Sequence, residues 1–264
     1  MTVNWKNFEC ACTEYLNVRF GWYANFILQG GADSTTSDIF VKTRKGEEFY
    51  MEAKHSPAQC GQFVLLPNIK TGMFEYSDGN KMSENQYSVE IMAYMNTYFD
   101  KFRAAGTKGK DIDMVNGQYL FAQWIISAYK RKGVKYFITN DFCILPIGKI
   151  QDYFNITAKY RIKRSGSSKV GKKNIVYVLD YISSHDYGIT DSNVDNDKIF
   201  VESDTELHNK RFILAGNEYM FSRHNELYEI RKLSNTYNAN VIFSIVLKSD
   251  ISGISETDFI NCLI

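Results

Sequence analysis

Asp38, Glu52 and Lys54 lie close together in the stretch SDIFVKTRKGEEFYMEAKH, residues 37–55, and combine side-chain types that a strand with one buried face has no packing use for. Glu52-Ala53-Lys54 is the one acid-x-Lys triplet in the whole sequence. Two carboxylates held side by side repel by roughly several kcal/mol at intermediate dielectric, and a divalent cation offsets that cost. Two hard oxygen ligands, joined by water, phosphate oxygens and the Ala53 carbonyl, suit Mg2+. A lysine ammonium beside them can orient an attacking water or steady the charge growing on a phosphorane-like transition state. In outline this is the chemistry of phosphodiester hydrolysis. The competing reading is a surface ion triad at a hairpin end, worth about 1 kcal/mol or less if exposed.

The elements around these residues must bring them to one place. Alternation assigns Ile39, Val41, Phe49, Met51 and Ala53 to a core face, and Asp38, Phe40, Lys42, Glu48, Tyr50, Glu52 and Lys54 to the other. A two-residue turn at Lys45-Gly46 would mix the two sets. A three-residue turn centred on Gly46 separates them, pairing Ile39 with Ala53, Val41 with Met51 and Asp38 with Lys54, so this register is expected.

Before the hairpin, Asn4–Phe20 carries Trp5, Phe8, Cys12, Tyr15, Leu16 and Arg19 at helical spacing and Gly21 can close it. A strand over Trp22–Gln29 and a GGADSTTS turn follow, and after the hairpin comes a long connection from Ser56 to Met82. Ser83 with Gln86 suggests a capping box for a helix over Glu84–Ala105. GQYLFAQWIISAYKRKG reads as a further helix and VKYFITN, residues 134–140, as an internal strand. Beyond a short helix near Lys149–Phe154, IVYVLDYI reads as a strand, Ser183–Asn209 as an acidic loop, and SETDFINCL as a segment opened by a cap.

At these residues the sequence resembles the PD-(D/E)XK nuclease superfamily and, within it, the type II restriction endonucleases. Ser37-Asp38, thirteen intervening residues and Glu52-Ala53-Lys54 stand where that family has Pro-Asp and Glu-x-Lys, and Ser37 departs from the usual proline. The resemblance covers about the first 140 residues and implies an α/β fold: a restriction-endonuclease-like core, a mixed central sheet flanked by helices in the order αβββαβ, with a β-rich C-terminal region. It implies Mg2+ on Asp38, Glu52 and the Ala53 carbonyl, with Lys54 serving the nucleophilic water. Relatives that add a helix carboxylate point to Glu9, on the flank of the first helix's apolar stripe, over Glu14 on its far side. Gln59 and Gln62, just after the Glu-x-Lys strand, are expected to support the site.

Lys159, Arg161, Lys163, Arg164, Lys169, Lys172 and Lys173 follow one another without an acid between them. In a chain with 31 basic and 30 acidic residues, that run is a local electropositive patch. Lys159, Arg161 and Lys163 alternate and share a strand face, while Ser165 and Ser167 supply small hydroxyls for phosphates. Arg161 and Arg164 are the candidates for guanine contacts. The expected partner is double-stranded DNA, met by a homodimer if its target is palindromic. The expected division is a catalytic core over 1–157 and a recognition region over 158–264.

The sequence also argues against other classes. Five cysteines without CxxC spacing suggest neither a disulfide framework nor a zinc site. No signal pattern or membrane-length apolar run appears, so a cytoplasmic protein is expected, and no Walker-type glycine pattern suggests a nucleotide cofactor. Asp191, Asn193, Asp195, Asp197 and Glu202 approach EF-hand spacing, but Asn196 stands where the loop needs glycine. The alternatives to a restriction enzyme are a repair or recombination nuclease on the same core and a DNA-binding protein whose charged triad is merely structural.

Overall fold

A computed structural model describes residues 5–29 and 36–264. In chain order the first elements are α1 (Trp5–Phe20), β1 (Ala24–Leu28), β2 (Ile39–Thr43), β3 (Glu48–Ala53), β4 (Ala58–Asn68) and β5 (Met73–Tyr76). Next come α2 (Gln86–Thr97), α3 (Phe99–Arg103), β6 (Lys110–Asp111), α4 (Gly117–Arg131), β7 (Val134–Ile138), β8 (Ile144–Pro146), α5 (Ile150–Tyr153) and β9 (Phe154–Arg164). The chain continues with β10 (Ser167–Lys169), α6 (Ile175–Ser183), β11 (Ile189–Asp195), β12 (Lys198–Ser203), β13 (Arg211–Leu214), β14 (Asn217–His224) and β15 (Leu227–Leu233). It ends with β16 (Tyr237–Leu247) and α7 (Glu256–Leu263).

Two compact units result: Met1–Arg161 with Ala239–Ile264, and Ile162–Asn238. These bounds differ from the expected division between 157 and 158, because β16 pairs with β4 and residues from Ala239 onward fall in the first unit. The first unit holds a mixed sheet of order β1-β2-β3-β7-β8, in which β3 and β7 run parallel and the other neighbours antiparallel. This is the expected αβββαβ core. A second sheet has the order β5-β4-β16-β9-β6.

The helix α1 buries Cys12, Leu16 and Phe20, spaced by one helical turn, against Ile39, Val41, Met51 and Ala53 of the mixed sheet. The Asn17 amide fixes the helix to β1, donating to the Phe26 carbonyl at 2.8 Å while its oxygen accepts from the Phe26 N–H at 3.3 Å. A Cβ on Gly21 would meet the Asn17 carbonyl oxygen at 2.4 Å, so glycine is required where the helix closes. The expected cap of α7 is present, with Ser255 Oγ accepting from the Asp258 N–H.

The hairpin register differs from expectation by two residues. Ile39 faces Met51 and Val41 faces Phe49, around a loop of Arg44, Lys45 and Gly46. Gly46 sits last in that loop at φ 89°, the left-handed position of a three-residue hairpin loop. Side chains alternate with period two, so a two-residue slip leaves the core and outer faces unchanged.

Four further expectations are corrected. Ser56–Met82 is a hairpin, β4 and β5, rather than a connection. The helix over Glu84–Ala105 is broken at Tyr98, and its capping box is Asn85 with Ser88, not Ser83 with Gln86. The apolar run IVYVLDYI is α6, which buries Val178 and Ile182 four residues apart. The acidic Ser183–Asn209 segment contains the β11–β12 hairpin, turning through Asn196 and Asp197 at φ 49° and 65°, so the calcium-loop spacing belongs to a β-turn. The GGADSTTS turn lies, over residues 30–35, outside the described residues. The second unit is a sheet of order β11-β12-β15-β14-β13, with β10 on β15 and α6 covering its apolar face. No helix among the described residues is long and apolar enough to cross a membrane.

Candidate active site

Strands β2, β3 and β7 build the site from backbone upward. The observed register, continued one residue past the Ile39–Met51 pair, sets Asp38 opposite Glu52, where the expected register had set it opposite Lys54. Asp38 Oδ2 accepts from the Ala53 N–H at 2.9 Å, which ties the end of β2 to β3. Lys54 Nζ donates to Glu52 Oε1 at 2.8 Å, and both side chains are nearly buried. Asp38, Glu52 and Lys54 thus meet at one rim of the ribbon.

Glu52 is 6% exposed, and its second oxygen, Oε2, is buried without a hydrogen-bond partner. An ionised carboxylate oxygen left so is costly, and a bound cation removes the cost. Burial, and then the neighbouring Glu52 charge, push the Asp38 carboxyl up to about 7 from its ordinary 3.8. For Lys54, burial works to lower the pKa, but the Glu52 and Asp38 charges outweigh it and raise the pKa above the ordinary lysine value. Both shifts describe excess negative charge in a dry place. A divalent cation fits this donor set, with Asp38 and Glu52 as its hard oxygen ligands and the Ala53 carbonyl at hand on the same strand end.

Glu9 is half-buried on α1, where burial raises its pKa and the Lys54 charge works to lower it. Among the described residues, no group of three or more His, Cys, Asp or Glu stands ready to hold a metal ion. Glu14 is exposed on α1. Gln59 and Gln62 follow on β4, where Gln59 Nε2 donates to Gln62 Oε1 at 3.3 Å and Asn240 Nδ2 donates to the same oxygen at 3.2 Å. Together with Asp38, Glu52, Lys54 and Trp124 they line a cleft of about 670 Å³. His55 packs edge-on against Phe8, ring centroids 5.0 Å apart, and does not line the cleft.

Sequence reasoning missed the residues that brace Lys54. The Lys54 N–H donates to the Ile138 carbonyl at 2.9 Å and Thr139 Oγ1 donates to the Lys54 carbonyl at 2.6 Å. Asn140 bonds both the N–H and the carbonyl of Ser56, at 2.7 and 3.2 Å. The only sequence signal was the Thr-Asn pair at the end of a predicted strand, which local spacing cannot connect to a lysine far upstream.

The basic segment acquires acidic partners from elsewhere in the chain. In the first unit Lys159 pairs with Asp111 at 3.3 Å. In the second unit Arg164 pairs with Glu218 and lies over the Tyr237 ring, and Lys169 pairs with Asp197 at 3.1 Å. Ser165 Oγ bonds Ser234 and Thr236, and Ser167 accepts from Arg231 through both Oγ and its carbonyl. Among the described residues Arg161 and Lys163 make no ion pair.

No protein-family model matches the sequence, and no curated protein matches it either. A solved structure does: HhaI endonuclease in complex with DNA is 40% identical to this chain, with 95% of this chain and 93% of that one covered and a TM-score of 0.72. Identity at that level over nearly the full length, joined to an acidic pair and a lysine converging in one cleft, makes the chain a member of the type II restriction endonucleases.

Proposed function

We propose that this enzyme hydrolyses phosphodiester bonds of double-stranded DNA at a specific sequence, using Mg2+ held by Asp38, Glu52 and the Ala53 carbonyl. The observation that carries the assignment of the site is the buried, unpartnered Glu52 Oε2 beside Asp38, with Lys54 occupying the other oxygen. When bound, the cation supplies positive charge to the phosphoryl oxygens and acidifies a water.

The chain's own groups do the rest. In the metal-free protein the Glu52 and Asp38 charges raise the Lys54 pKa against burial, which favours the ammonium form that donates to Glu52. One of its protons is spent on Glu52 Oε1, and two remain to orient the attacking water or meet a phosphoryl oxygen. Thr139 and Ile138 fix the Lys54 backbone, so its side chain starts from a fixed point. Gln59 and Gln62 offer amide groups to the same cleft, within reach of a nucleotide or a water. Glu9, half-buried on α1 and close enough to feel the Lys54 and Glu52 charges, is the candidate for an added carboxylate at the site.

Duplex recognition is assigned to the segment from Lys159 to Lys169 and to residues 162–238. Arg161 and Lys163, which carry no internal ion pair, are favoured for DNA contact over Lys159, Arg164 and Lys169, whose charges are already matched. A palindromic target would favour a two-fold homodimer, and sedimentation with and without a cognate duplex counts the copies. A host-guarding, cytoplasmic role predicts a DNA methyltransferase gene beside this one.

The deciding assay incubates plasmid DNA with protein in Mg2+ and in EDTA, and repeats both with Lys54→Ala. Discrete fragments that require the metal and vanish in the variant are the expected outcome; intact DNA with wild-type protein and metal overturns the reading. Sequencing the fragment ends gives the target.

A further inference from the structure

The active-site cleft has a second lip. Besides the acidic rim of β2 and β3, it is lined by Arg131 and Lys132 at the end of α4 and by Lys81 from the β5–α2 connection. In the sequence, YKRKG reads only as the basic turn that ends a helix.

Ordinary helix chemistry explains part of this run, because cations at a helix C-terminus meet the unpaired carbonyls there. It does not explain the direction that Arg131 and Lys132 take. Lys130 lines a different hollow with Gly133 and Lys135, whereas the next two cations line the cleft. Their backbone is held firmly. The Lys132 N–H donates to the Tyr129 carbonyl at 3.0 Å and the Gly133 N–H to the Lys130 carbonyl at 2.9 Å, with Gly133 at φ 75°. The Gly133 carbonyl then accepts from the Tyr50 N–H at 3.0 Å, on β3 two residues before Glu52. A Cβ at position 133 would stand 3.3 Å from the Tyr50 ring. The end of α4 is thereby fixed to the strand that carries Glu52 and Lys54.

Tyr129 links the two sides of the cleft more directly. The Lys54 ammonium lies 5.9 Å and the Lys132 ammonium 5.3 Å from the centroid of its buried ring. Arg131 is exposed and, among the described residues, makes no ion pair. With Asp38 and Glu52 balanced by a divalent cation and Lys54, the exposed Arg131 presents its positive charge at this lip, which suits an anion extended across the cleft.

We propose that Arg131 and Lys132 grip backbone phosphates of the substrate strand across the cleft from Asp38 and Glu52, making the last turn of α4 a positioning element for the scissile phosphate. This rests on the restriction-enzyme reading above.

The test is equilibrium binding of a fluorescently labelled duplex bearing the target, without divalent cation, over a series of KCl concentrations. Removing one cation that neutralises a phosphate lowers the magnitude of the salt slope by about 0.9. The Arg131→Ala/Lys132→Ala double variant is expected to lose about 1–2 of slope and roughly tenfold or more in affinity at low salt. Arg131→Lys is expected to keep the slope. Lys45→Gln, which removes a charge at the opposite end of the β2–β3 hairpin, serves as control and is expected to match wild type. Arg131→Gln/Lys132→Gln keeps much of the side-chain bulk and decides the matter if the alanine pair melts early. An unchanged slope in a folded double variant overturns the phosphate grip while wild-type cleavage stands. Wild-type protein that neither binds nor cuts any duplex overturns the functional reading itself.

Discussion

The first unit carries Glu52-Ala53-Lys54 and the second carries Glu229-Ile230-Arg231. Each is a strand-borne glutamate, 6% and 4% exposed, bound to a cation two residues on. Glu229 is closed: Arg231 Nη1 reaches both of its oxygens, at 3.1 and 3.0 Å, while the rest of the guanidinium bonds Ser167. The residues facing Glu229 across the sheet are Phe200 and Ser222. Glu52 is open, because lysine satisfies one oxygen only and the residue across from it is a second acid, Asp38. The same spacing therefore builds a structural cross-link in one unit and leaves a buried carboxylate oxygen open in the other. What separates them is whether the local partner reaches both carboxylate oxygens, as Arg231 Nη1 does for Glu229 and Lys54 Nζ does not for Glu52.

Substitutions should split along that line. Lys54→Ala is expected to fold and to lose roughly 10²–10³-fold in cleavage rate, measured as initial velocity on plasmid in Mg2+. Glu52→Gln should lose at least as much, because it weakens the metal site and leaves Lys54 without its charge partner. Glu229→Ala should act on stability, costing about 2–4 kcal/mol in denaturant melts because a partly buried arginine is left uncompensated. Its residual folded fraction should cut DNA at the wild-type rate per folded molecule. A Glu229→Ala protein that is fully folded and inactive would dissolve the distinction.

The pH response should sharpen it. The folded-state value of Asp38, about 7, lies above its ordinary 3.8, so protonation favours the fold. Metal-free protein is expected to keep this contribution in full below about pH 4 and to lose it progressively as pH rises through 7, a few kcal/mol at most. Asp38→Asn should flatten that decline in melts run with EDTA, and saturating Mg2+ should reverse it in the wild type. A wild-type profile in EDTA with no fall between pH 4 and 8 would show that Asp38 and Glu52 do not share a dry site.

The open site was more legible in the sequence than the elements around it. Alternation assigned the hairpin faces correctly, yet it could not choose between turns centred on Lys45 and on Gly46, because a two-residue slip preserves every face. The β4–β5 hairpin was hidden by its own punctuation. Gly61 reads as a breaker but sits in a bulge at φ 94°, where a Cβ would press to 2.8 Å on Trp124, and Pro67 lies in the paired ribbon. In α6 the continuous apolar run fits helix and strand alike, and only the burial of Val178 and Ile182 reveals its period. The basic run looked unopposed because Asp111, Asp197 and Glu218, the acids that face it, are far away in sequence.

Backbone support gives the smallest and most discriminating contrast. Asn140 holds Ser56 by two bonds, at 2.7 and 3.2 Å, just beyond Lys54, while Ser167 Oγ accepts from Arg231 Nε at 2.8 Å beside the closed pair. Asn140→Ala is expected to cost about 1–3 kcal/mol of stability by leaving polar backbone groups unmatched. It should also slow cleavage roughly tenfold, since a modest misplacement of a catalytic donor lowers the rate even when the donor survives. Ser167→Ala removes a single bond from an arginine that retains its bonds to both Glu229 oxygens and to the carbonyl of residue 167, and should cost about 1 kcal/mol or less with no change in rate per folded molecule. Thermal melts paired with single-turnover rates measure both. An open pair depends on its scaffold for position, whereas a closed pair carries its geometry in its own bonds, so equal rate losses in the two variants would contradict the division drawn between them.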